Sequence, residues 1–555
     1  MQVIVSVQAE RRGVKRVIGV ALAYLSTYRG AGLLLMLLFG LSAMRQVELP
    51  GLYMDAINPD YMAAQTLDGR VQNPVWRMPG PAIPILGNLY YGVQNYYVGL
   101  AVYPVLGTNI VSARIAQSLF GALIVLFTYA LVRRATSNPW IALLAGVGLA
   151  TDIAFVASFR TQNYIILGGT AWLLLSLLLL LHSDQPGRRG RVFLIGSGVF
   201  FGLAAYGYFV HLFFGPAVLA LLLFWRRTDA VRVSLLRWSS GFVLGMLPYV
   251  LGYAWAIGTL GGITPFLDWL PTVLGGLHPL SESHGYLAGL STAFGLAHLA
   301  LLNIGNELMV LGEAQSGEGL RLWPLLVVAA LVTCAIALAS HWRAGLREQQ
   351  GMTWLAAMPL CYVLVAAIFG SRLWAHHYSV LVAFAYIVLG LALSEVHRYV
   401  RGRIAASRLV AIPIFVVLAC AMLWANVAQQ NRFFQRLEQT GGVGMASNAS
   451  TALAESALAE RDRAVYLFPE WGFFMPFAFL TGNQVHYELE VSQAALSRHM
   501  GARDQVRLAF WNARDADRYR QSLSVLGVRD LRLYTFLRRD GAPALYLWAG
   551  RAPHR

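Results

Sequence analysis

Long apolar runs separated by short polar segments make up most of this 555-residue chain up to about residue 430. A helix needs about 20 apolar residues to cross the hydrocarbon core of a bilayer. Eleven runs approach that length, and we predict a transmembrane helix over each of them. Their approximate bounds are 28–46, 112–132, 140–158, 163–181, 192–208, 210–225, 236–257, 322–340, 352–370, 378–394 and 409–426.

One further stretch, 286–312, is apolar and rich in glycine but ambiguous. Polar residues interrupt it, and they favour an external amphipathic segment over a further span. These residues are Asn303, Asn306, Glu307 and, just beyond the stretch, Glu313.

Basic residues predict the orientation of the spans, because arginine and lysine concentrate in cytoplasmic connections. They recur in the N-terminal segment and in every second connection, at positions 11, 12, 15, 16, 133, 134, 188, 189, 191, 226, 227, 232, 237, 343, 347, 398, 401, 403 and 408. The opposite connections carry few, namely Arg45, Arg70, Arg77, Arg160, Arg321 and Arg372. We therefore place the N-terminus in the cytoplasm, and eleven spans place the C-terminus outside.

From about residue 430 the apolar runs become short and alternating, and charged residues occur in ordinary proportion. Such runs bounded by turn residues are typical of strands. We predict strands at 465–468, 506–510, 531–536 and 545–548, and a helix at 515–526. The predicted fold is an all-α polytopic membrane domain over 1–429, with large external loops at about 47–111 and 258–321, followed by a small extracytoplasmic α/β domain over 430–555.

Composition supports the membrane assignment. Hydrophobic residues make up 57% of the chain and charged residues only 13%, against roughly 25% charged in soluble domains. The net charge of +16 does not indicate a nucleic-acid partner, because the arginines lie at the ends of apolar runs and not on one soluble face. The three cysteines all fall inside apolar runs, so they provide neither a disulfide framework nor a metal-binding spacing.

An aspartate pair gives the first sign of chemistry. Asp55 and Asp60 lie five residues apart, just after the first predicted span, in a chain with only 27 acidic residues. A carboxylate there can act as a general base on an acceptor hydroxyl, taking its proton as the new bond forms. However, Asn58-Pro59-Asp60 is also a turn signal, and aspartate often caps a helix. The sequence leaves the choice between the two aspartates open.

Other polar residues near the outer side are candidates for substrate contact. Asp152 is an ionisable residue inside a predicted span, which makes it a functional candidate. His211 lies at a predicted outer turn, and His376 and His377 precede the tenth span; because they are adjacent, we expect their side chains to diverge on a helix and not to form a metal pair. Five tyrosines in the first loop fit an interfacial aromatic belt or, alternatively, stack on sugar: Tyr90, Tyr91, Tyr96, Tyr97 and Tyr103.

No residue pattern in the sequence indicates a particular cofactor. The second large loop leaves a divalent metal open through Glu282, His284, Glu307 and Glu313. The sequence contains no Walker-type phosphate loop, no dinucleotide fingerprint and no zinc-protease motif.

Together, the acidic motif after the first span, the Pro/Tyr-rich loop, the short exposed link after the third span and the soluble tail resemble one family. The chain resembles the GT-C-fold integral membrane glycosyltransferases, the group that includes protein O-mannosyltransferases and the aminoarabinose transferases of lipid A. The resemblance covers nearly the whole chain, mainly through architecture. In that family an acidic residue of the first external loop is the expected base, so Asp55 or Asp60 takes that role. Asp60-Tyr61 matches the acidic–Tyr part of the motif, but the family's adjacent acids are not kept.

The resemblance implies further roles. Arg160 matches a family arginine near the end of the third span, with Asn163 where the family has an acid. With Arg372 it is expected to hold the phosphate of a polyprenyl-phosphate-linked sugar donor, although both arginines can instead reach lipid head groups. The implied reaction is an inverting single displacement to a lipid, glycan or protein acceptor at the outer face of the inner membrane, with the tail covering the site or binding the acceptor.

Two other classes of function remain as alternatives. A transporter or lipid-carrier flippase needs polar or broken helices near the membrane midplane, often in two related halves. Here the predicted spans are nearly free of charge, with Asp152 the main exception, and no halves repeat. A membrane scaffold with a partner-binding tail predicts that the aspartates can be replaced without loss of function.

Overall fold

The computed structural model of the protein describes residues 28–69, 83–225, 231–277, 285–314, 322–403, 407–499 and 503–552. The basic N-terminal positions 11, 12, 15 and 16 and the loop residues Glu282 and His284 lie outside these ranges.

Helices form nearly all of the described chain before the tail. They are α1 (Tyr28–Met44), α2 (Met54–Leu67), α3 (Gln94–Leu106), α4 (Ile110–Thr136), α5 (Pro139–Thr151), α6 (Ile153–Ser158), α7 (Asn163–His182), α8 (Gly187–Gly207), α9 (Gly215–Trp225), α10 (Val231–Thr259), α11 (Ile263–Leu277), α12 (Tyr286–Leu301), α13 (Ile304–Leu311), α14 (Leu322–Arg343), α15 (Arg347–Trp354), α16 (Met358–Ala366), α17 (Leu381–Arg403) and α18 (Ser407–Thr440). A short hairpin precedes α3, with strands β1 (Leu86–Asn88) and β2 (Tyr91–Gly92).

Helix α4 shows how local sequence fixes the ends of a span. The side chain of Asn109 accepts a hydrogen bond from the Ser112 amide at 2.9 Å, and the Ser112 hydroxyl accepts one from the Asn109 amide at 3.1 Å. This reciprocal capping box satisfies two amides that the helix leaves unpaired. At the other end Ser137 adopts a left-handed conformation. Arg133 and Arg134 occupy the last turn, where cations favour the helix dipole.

Within the described residues, six helices are long and apolar enough to cross a membrane: Ile110–Thr136, Asn163–His182, Gly187–Gly207, Val231–Thr259, Trp323–Arg343 and Ala375–Arg401. Shorter apolar helices cover four more predicted spans: Tyr28–Met44, Pro139–Thr151, Phe209–Leu223 and Met352–Ala366. The last predicted span lies within α18. Every predicted span therefore falls on helical structure, while the number of eleven crossings stays a prediction, because a helix of 13 residues is only about 20 Å long.

The ambiguous stretch folds as two helices, α12 and α13, which meet at 69°. Asn303 sits at the bend in a left-handed conformation, with φ of 65°. Asn306 and Glu307 are buried there and not presented to solvent. A sharp bend of this kind occurs both in broken spans and in re-entrant loops.

The tail folds around a five-stranded sheet. Its elements are α19 (Ala449–Ala459), β3 (Ala464–Leu467), α20 (Phe474–Leu480), β4 (Tyr487–Glu488), α21 (Gln493–His499), β5 (Gln505–Phe510), α22 (Ala516–Val525), β6 (Arg529–Leu537) and β7 (Pro543–Arg551). The strand order is β4-β3-β5-β7-β6, with β3 parallel to both neighbours and β7 antiparallel to both of its own. The four predicted strands and the predicted helix are confirmed within a few residues. Helix α18 runs unbroken through residue 430, so the sheet begins well beyond that position.

Helix α2 lies between the tail and the membrane helices. On the tail side, the ring of Tyr61 packs edge-on against Phe474, with centroids 5.9 Å apart, and its hydroxyl meets that of Tyr487 at 3.2 Å. Gln65 hydrogen-bonds Asn483. On the membrane side, Asp60 reaches α4 and α7, so both faces of α2 are fixed.

Candidate active site

The two aspartates lie on one helix but point in different directions. Asp55 occupies the first turn of α2, where a negative charge is favoured by the helix dipole, and Asp60 follows five residues later. Since each residue turns an α-helix by about 100°, five residues separate the side chains by about 140°. One carboxylate can therefore face an opening while the other is buried.

Asp55 faces a cavity of about 960 Å³. Its carboxylate is half-buried and accepts a hydrogen bond from the Tyr53 hydroxyl at 2.6 Å. Burial raises the pKa of Asp55 above its ordinary value, and the hydrogen bond from Tyr53 opposes that rise. Asp55 is the only carboxylate that lines the cavity among the residues the structure describes.

Asp60 is 1% exposed and does not line the cavity. The hydroxyl of Tyr103 donates to one of its oxygens; the hydroxyl of Tyr164, at 2.7 Å, and the amide of Gln117, at 3.2 Å, donate to the other. Burial raises the pKa of Asp60 to about 6, although these hydrogen bonds and the nearby Arg114 act in the opposite direction. This carboxylate serves as a buried acceptor that ties α2 to its neighbours.

The cavity gathers chain segments that the predicted topology places on the outer side. Its walls come from the start of α2, the β1–β2 hairpin, the start of α7, the junction after α8, the far end of α10 and the segment 369–377. Of the five tyrosines of the first loop, Tyr90 and Tyr91 line it. The tail contributes Trp471.

Arg372, His376 and His377 all line this cavity. Arg372 is exposed, and its guanidinium makes no hydrogen bond or ion pair with any residue that the structure describes. His376 pairs with Gln162 at 2.8 Å, and His377 pairs with the Tyr208 hydroxyl at 3.1 Å. The expectation that the two imidazoles diverge is wrong: their ring centroids lie 4.1 Å apart at an interplanar angle of 33°, on the 3₁₀ segment Ala375–Val380.

Arg160 lies outside the cavity lining. Its guanidinium is 2% exposed and donates to four backbone carbonyls at the end of α1, those of Ala43, Arg45, Gln46 and Leu49. Carbonyls at a helix end lack partners within the helix. The geometry gives Arg160 the role of a cap for the end of α1 and the turn after it: both Nη1 and Nη2 donate to these carbonyls, and the buried Nε is the donor left without a partner among the described residues.

The remaining candidates are also held in the protein interior. Asp152 caps α6 by accepting from the Ala154 amide at 2.7 Å and also accepts from the Tyr386 hydroxyl at 2.7 Å. Asn163 donates to Asn306 at 3.0 Å. Tyr61 and His211 are buried and do not line the cavity. His211 pairs with the Thr170 hydroxyl at 3.2 Å. These side chains join helices to one another.

The described residues contain no group of three histidine, cysteine or acidic side chains able to hold a metal ion. Glu313 forms a salt bridge with Arg436 at 2.7 Å. Glu307 accepts from the Asn303 amide at 3.3 Å in the buried bend between α12 and α13.

Three cavity residues carry no recognisable signal in the sequence. Tyr53 precedes α2, Tyr208 follows α8, and Trp471 lies in a tail loop, far apart along the chain. The buried strand β3 followed by Pro469-Glu470-Trp471-Gly472 predicts a loop at that point, but not the direction in which it projects.

Comparison with known proteins places this geometry in a family context. A model of the dolichyl-phosphate-mannose-protein mannosyltransferase family matches residues 95–252. The crystal structure of ArnT from Cupriavidus metallidurans in the apo state aligns over 98% of both chains, at 13% identity and a TM-score of 0.55. ArnT from the same organism bound to undecaprenyl phosphate aligns over 93% of this chain and 97% of its own, at 13% identity and a TM-score of 0.53. The sequence matches no curated protein.

The resemblance to GT-C-fold membrane glycosyltransferases is thereby confirmed: part of the chain matches the mannosyltransferase family model, and the whole chain has the fold of ArnT. At 13% identity the likeness establishes the fold and leaves the chemistry to the residues of the cavity.

Proposed function

We propose that this protein is an inverting glycosyltransferase that moves a sugar from a polyprenyl-phosphate carrier to a lipid, glycan or protein acceptor. The observation that carries this proposal is the pairing of Asp55 and Arg372 on one cavity. A base and a phosphate-binding cation are the two charged groups that the reaction requires, and the described lining offers one carboxylate and one guanidinium.

In this reaction Asp55 is the general base. A sugar hydroxyl has too high a pKa to be deprotonated in advance, so the carboxylate accepts the proton while the acceptor oxygen bonds to the anomeric carbon. The raised pKa of Asp55 suits that role, since a more basic carboxylate is a better proton acceptor. Asp60 is out of reach for this chemistry, because it is buried outside the cavity lining and three donors already hold its carboxylate.

The bond from the anomeric carbon to the phosphate oxygen breaks on the opposite face, and the polyprenyl phosphate leaves with the bonding electrons. Arg372 stabilises the charge that develops there, because the guanidinium presents several donors in a rigid fork that fits phosphate oxygens. The ArnT structure that holds undecaprenyl phosphate supports a carrier of this class for the present chain.

The neutral cavity residues are suited to holding a sugar. Tyr90, Tyr91, Asn58 and Gln162 line it alongside the paired histidines. Their hydroxyl and amide groups match the hydroxyls of a sugar, and aromatic faces match its apolar C–H surface. The side chains of the cavity thus supply contacts for the sugar as well as for the carrier phosphate.

The cavity is lined by the ends of helices that the arginine distribution assigns to the outer side. We therefore propose an inner-membrane protein with a cytoplasmic N-terminus, whose reaction occurs at the outer leaflet. The large loop, the α/β tail and the membrane lipids then all meet at the site.

The decisive experiment compares wild type with Asp55→Asn in nanodiscs, using radiolabelled polyprenyl-phosphate sugars and a membrane extract as the acceptor source. We expect Asp55→Asn to bind donor normally but to transfer sugar roughly 10²- to 10⁴-fold more slowly, the range associated with loss of a general base. Asp462→Asn, on a side chain that is 87% exposed in the tail, is the matched control and should transfer normally.

Full transfer by Asp55→Asn would rule out its role as the base. Donor binding without transfer by wild type across the whole panel would count against the glycosyltransferase assignment with these acceptors. Absence of donor binding, with Asp55→Asn still functional in cells, would favour the transporter or scaffold alternatives.

A further inference from the structure

The tail loop that carries Trp471 to the cavity lining is held in place by several contacts. Glu470 accepts a hydrogen bond from the Trp511 amide at 2.8 Å and another from the Tyr519 hydroxyl at 2.9 Å. The Trp511 indole donates to the carbonyl of Trp471 at 2.7 Å. Its ring also stacks on Phe473, with centroids 3.9 Å apart. The position of Trp471 is therefore set by the folded tail.

Gly472 adds a direct link between this loop and α2. Its amide approaches the Met54 sulfur at 3.2 Å, and its φ of 106° is a conformation that favours glycine. Met54 is the residue before Asp55, so the loop contacts α2 at the turn that carries the proposed base.

Tyr53 interacts with both Asp55 and Trp471. Its hydroxyl donates to Asp55, whose carboxylate oxygen lies 2.6 Å away. The Trp471 indole, which can only donate, acts on the same hydroxyl and lowers the pKa of Tyr53, although burial keeps that pKa raised overall. All three side chains line the cavity.

We propose that Tyr53 and Trp471 are positioning residues that hold Asp55 in its reactive orientation, so that the tail completes the active site. This inference rests on the proposed role of Asp55 as the base. Tyr53 fixes one carboxylate oxygen and leaves the other for the acceptor hydroxyl. Trp471 holds Tyr53 in place, so the orientation of the Asp55 carboxylate depends on the folded tail.

The physical reason is that a half-buried carboxylate on the first turn of a helix can rotate between several rotamers. A hydrogen bond from a fixed donor selects one of them before the substrate arrives, which removes that ordering cost from the reaction. Burial keeps the pKa of Tyr53 well above its ordinary value, so Tyr53 remains a donor at any working pH.

The test uses the full-length protein in nanodiscs and four forms: wild type, Tyr53→Phe, Trp471→Phe and the double variant. We expect Tyr53→Phe to lower kcat by roughly 10- to 100-fold, the size expected for a hydrogen bond to a charged group, with donor affinity retained. Its acid limb of kcat/KM should move to higher pH, because the bond that opposes the raised pKa of Asp55 is gone. Trp471→Phe should produce the same changes to a smaller extent.

Non-additivity separates this role from direct substrate contact. Because Trp471 acts through the Tyr53 hydroxyl, Trp471→Phe should have no further effect on kcat or on the acid limb in the Tyr53→Phe background. Trp424→Phe, on an exposed side chain of α18, is the control and should leave transfer unchanged. Thermal unfolding and donor binding of each variant confirm that it is folded.

Equal effects of Trp471→Phe with and without the Tyr53 hydroxyl, or a change in KM alone, would overturn the positioning role. So would an unchanged acid limb in both single variants. These outcomes differ from failure of the proposed function, which appears as an active Asp55→Asn variant whatever the tyrosine and tryptophan variants do.

Discussion

At the scale of single residues, environment gives Asp55 and Asp60 different roles. Both carboxylates have a raised pKa because burial disfavours the charged form. Asp60 has donors on both oxygens and no access to the cavity, whereas Asp55 accepts a hydrogen bond from Tyr53 on one oxygen and faces the open volume. An acceptor hydroxyl can therefore approach Asp55 but not Asp60.

The raised pKa of Asp60 predicts how stability varies with pH. A group whose pKa is higher in the folded state stabilises the fold at low pH, and this stabilisation disappears as the pH rises through the folded value, here about 6. We therefore expect wild type to lose roughly 2–3 kcal/mol of stability between pH 4 and pH 7 from this group, because a pKa difference of one between the folded and unfolded states corresponds to about 1.4 kcal/mol. Thermal unfolding in detergent across that range measures the loss.

Asp60→Asn provides the comparison, because an amide stays neutral at every pH. The unfolding temperature of the variant relative to wild type should rise as the pH increases from about 4 to about 7, the range in which the folded and unfolded carboxyl groups ionise. A difference that stays constant across this range would show that Asp60 titrates normally in the folded protein.

At the scale of elements, Arg160 caps the end of α1. It lies in the connection between α6 and α7, yet its guanidinium satisfies carbonyls from Ala43 to Leu49. Its guanidinium carbon also lies 4.7 Å from the ring centroid of Phe434 on α18. Arg160 thus joins three parts of the membrane domain: the end of α1, the connection between α6 and α7, and α18. The end of α1 directly precedes the segment that leads to Asp55.

Replacing each of the two outer arginines by methionine should give opposite results. Arg160→Met leaves buried carbonyls unsatisfied and should cost at least about 1–3 kcal/mol of stability. Arg372→Met should leave stability unchanged and weaken binding of the polyprenyl-phosphate donor, because this guanidinium has no partner among the described residues. Thermal unfolding and donor-binding titrations on both variants distinguish the two roles, and a stable Arg160→Met that fails only to bind donor would contradict our assignment.

At the scale of the whole molecule, the tail and the membrane domain line one cavity. Helix α2 contacts the tail on one face and α4 and α7 on the other, and the cavity has walls from both parts. The segment leading into α2 also approaches the tail closely: a Cβ on Gly51 would lie 2.1 Å from the carbonyl oxygen of Ser447.

Gly51→Ala should therefore push the tail away from α2. The carbonyl belongs to the backbone and cannot rotate aside, so we expect a lower unfolding temperature, faster proteolysis of the tail and slower sugar transfer. The control is Gly40→Ala on α1, where a Cβ would meet nothing within 4 Å. Equal behaviour of the two variants would show that this contact does not hold the tail in place.

Much of the architecture follows from the sequence. Apolar runs of spanning length predicted where helices form, and short alternating runs predicted the strands of the tail, because both patterns reflect local geometry repeated many times. The aspartate pair, Arg372 and the histidines next to it were also recognisable, since charged residues are rare in the connections predicted to lie on the outer side.

Only the tertiary structure decided which of these residues meet. The rotation of about 140° between Asp55 and Asp60 depends on α2 continuing through Pro59 as a helix, although Asn58-Pro59-Asp60 is a turn signal. The burial of Arg160 depends on the end of α1, which precedes it by more than a hundred residues. Tyr53 and Trp471 come together because the tail folds back on the first loop. The sequence by itself determined the elements, whose causes are local, whereas the site depends on contacts between distant segments that no local pattern records.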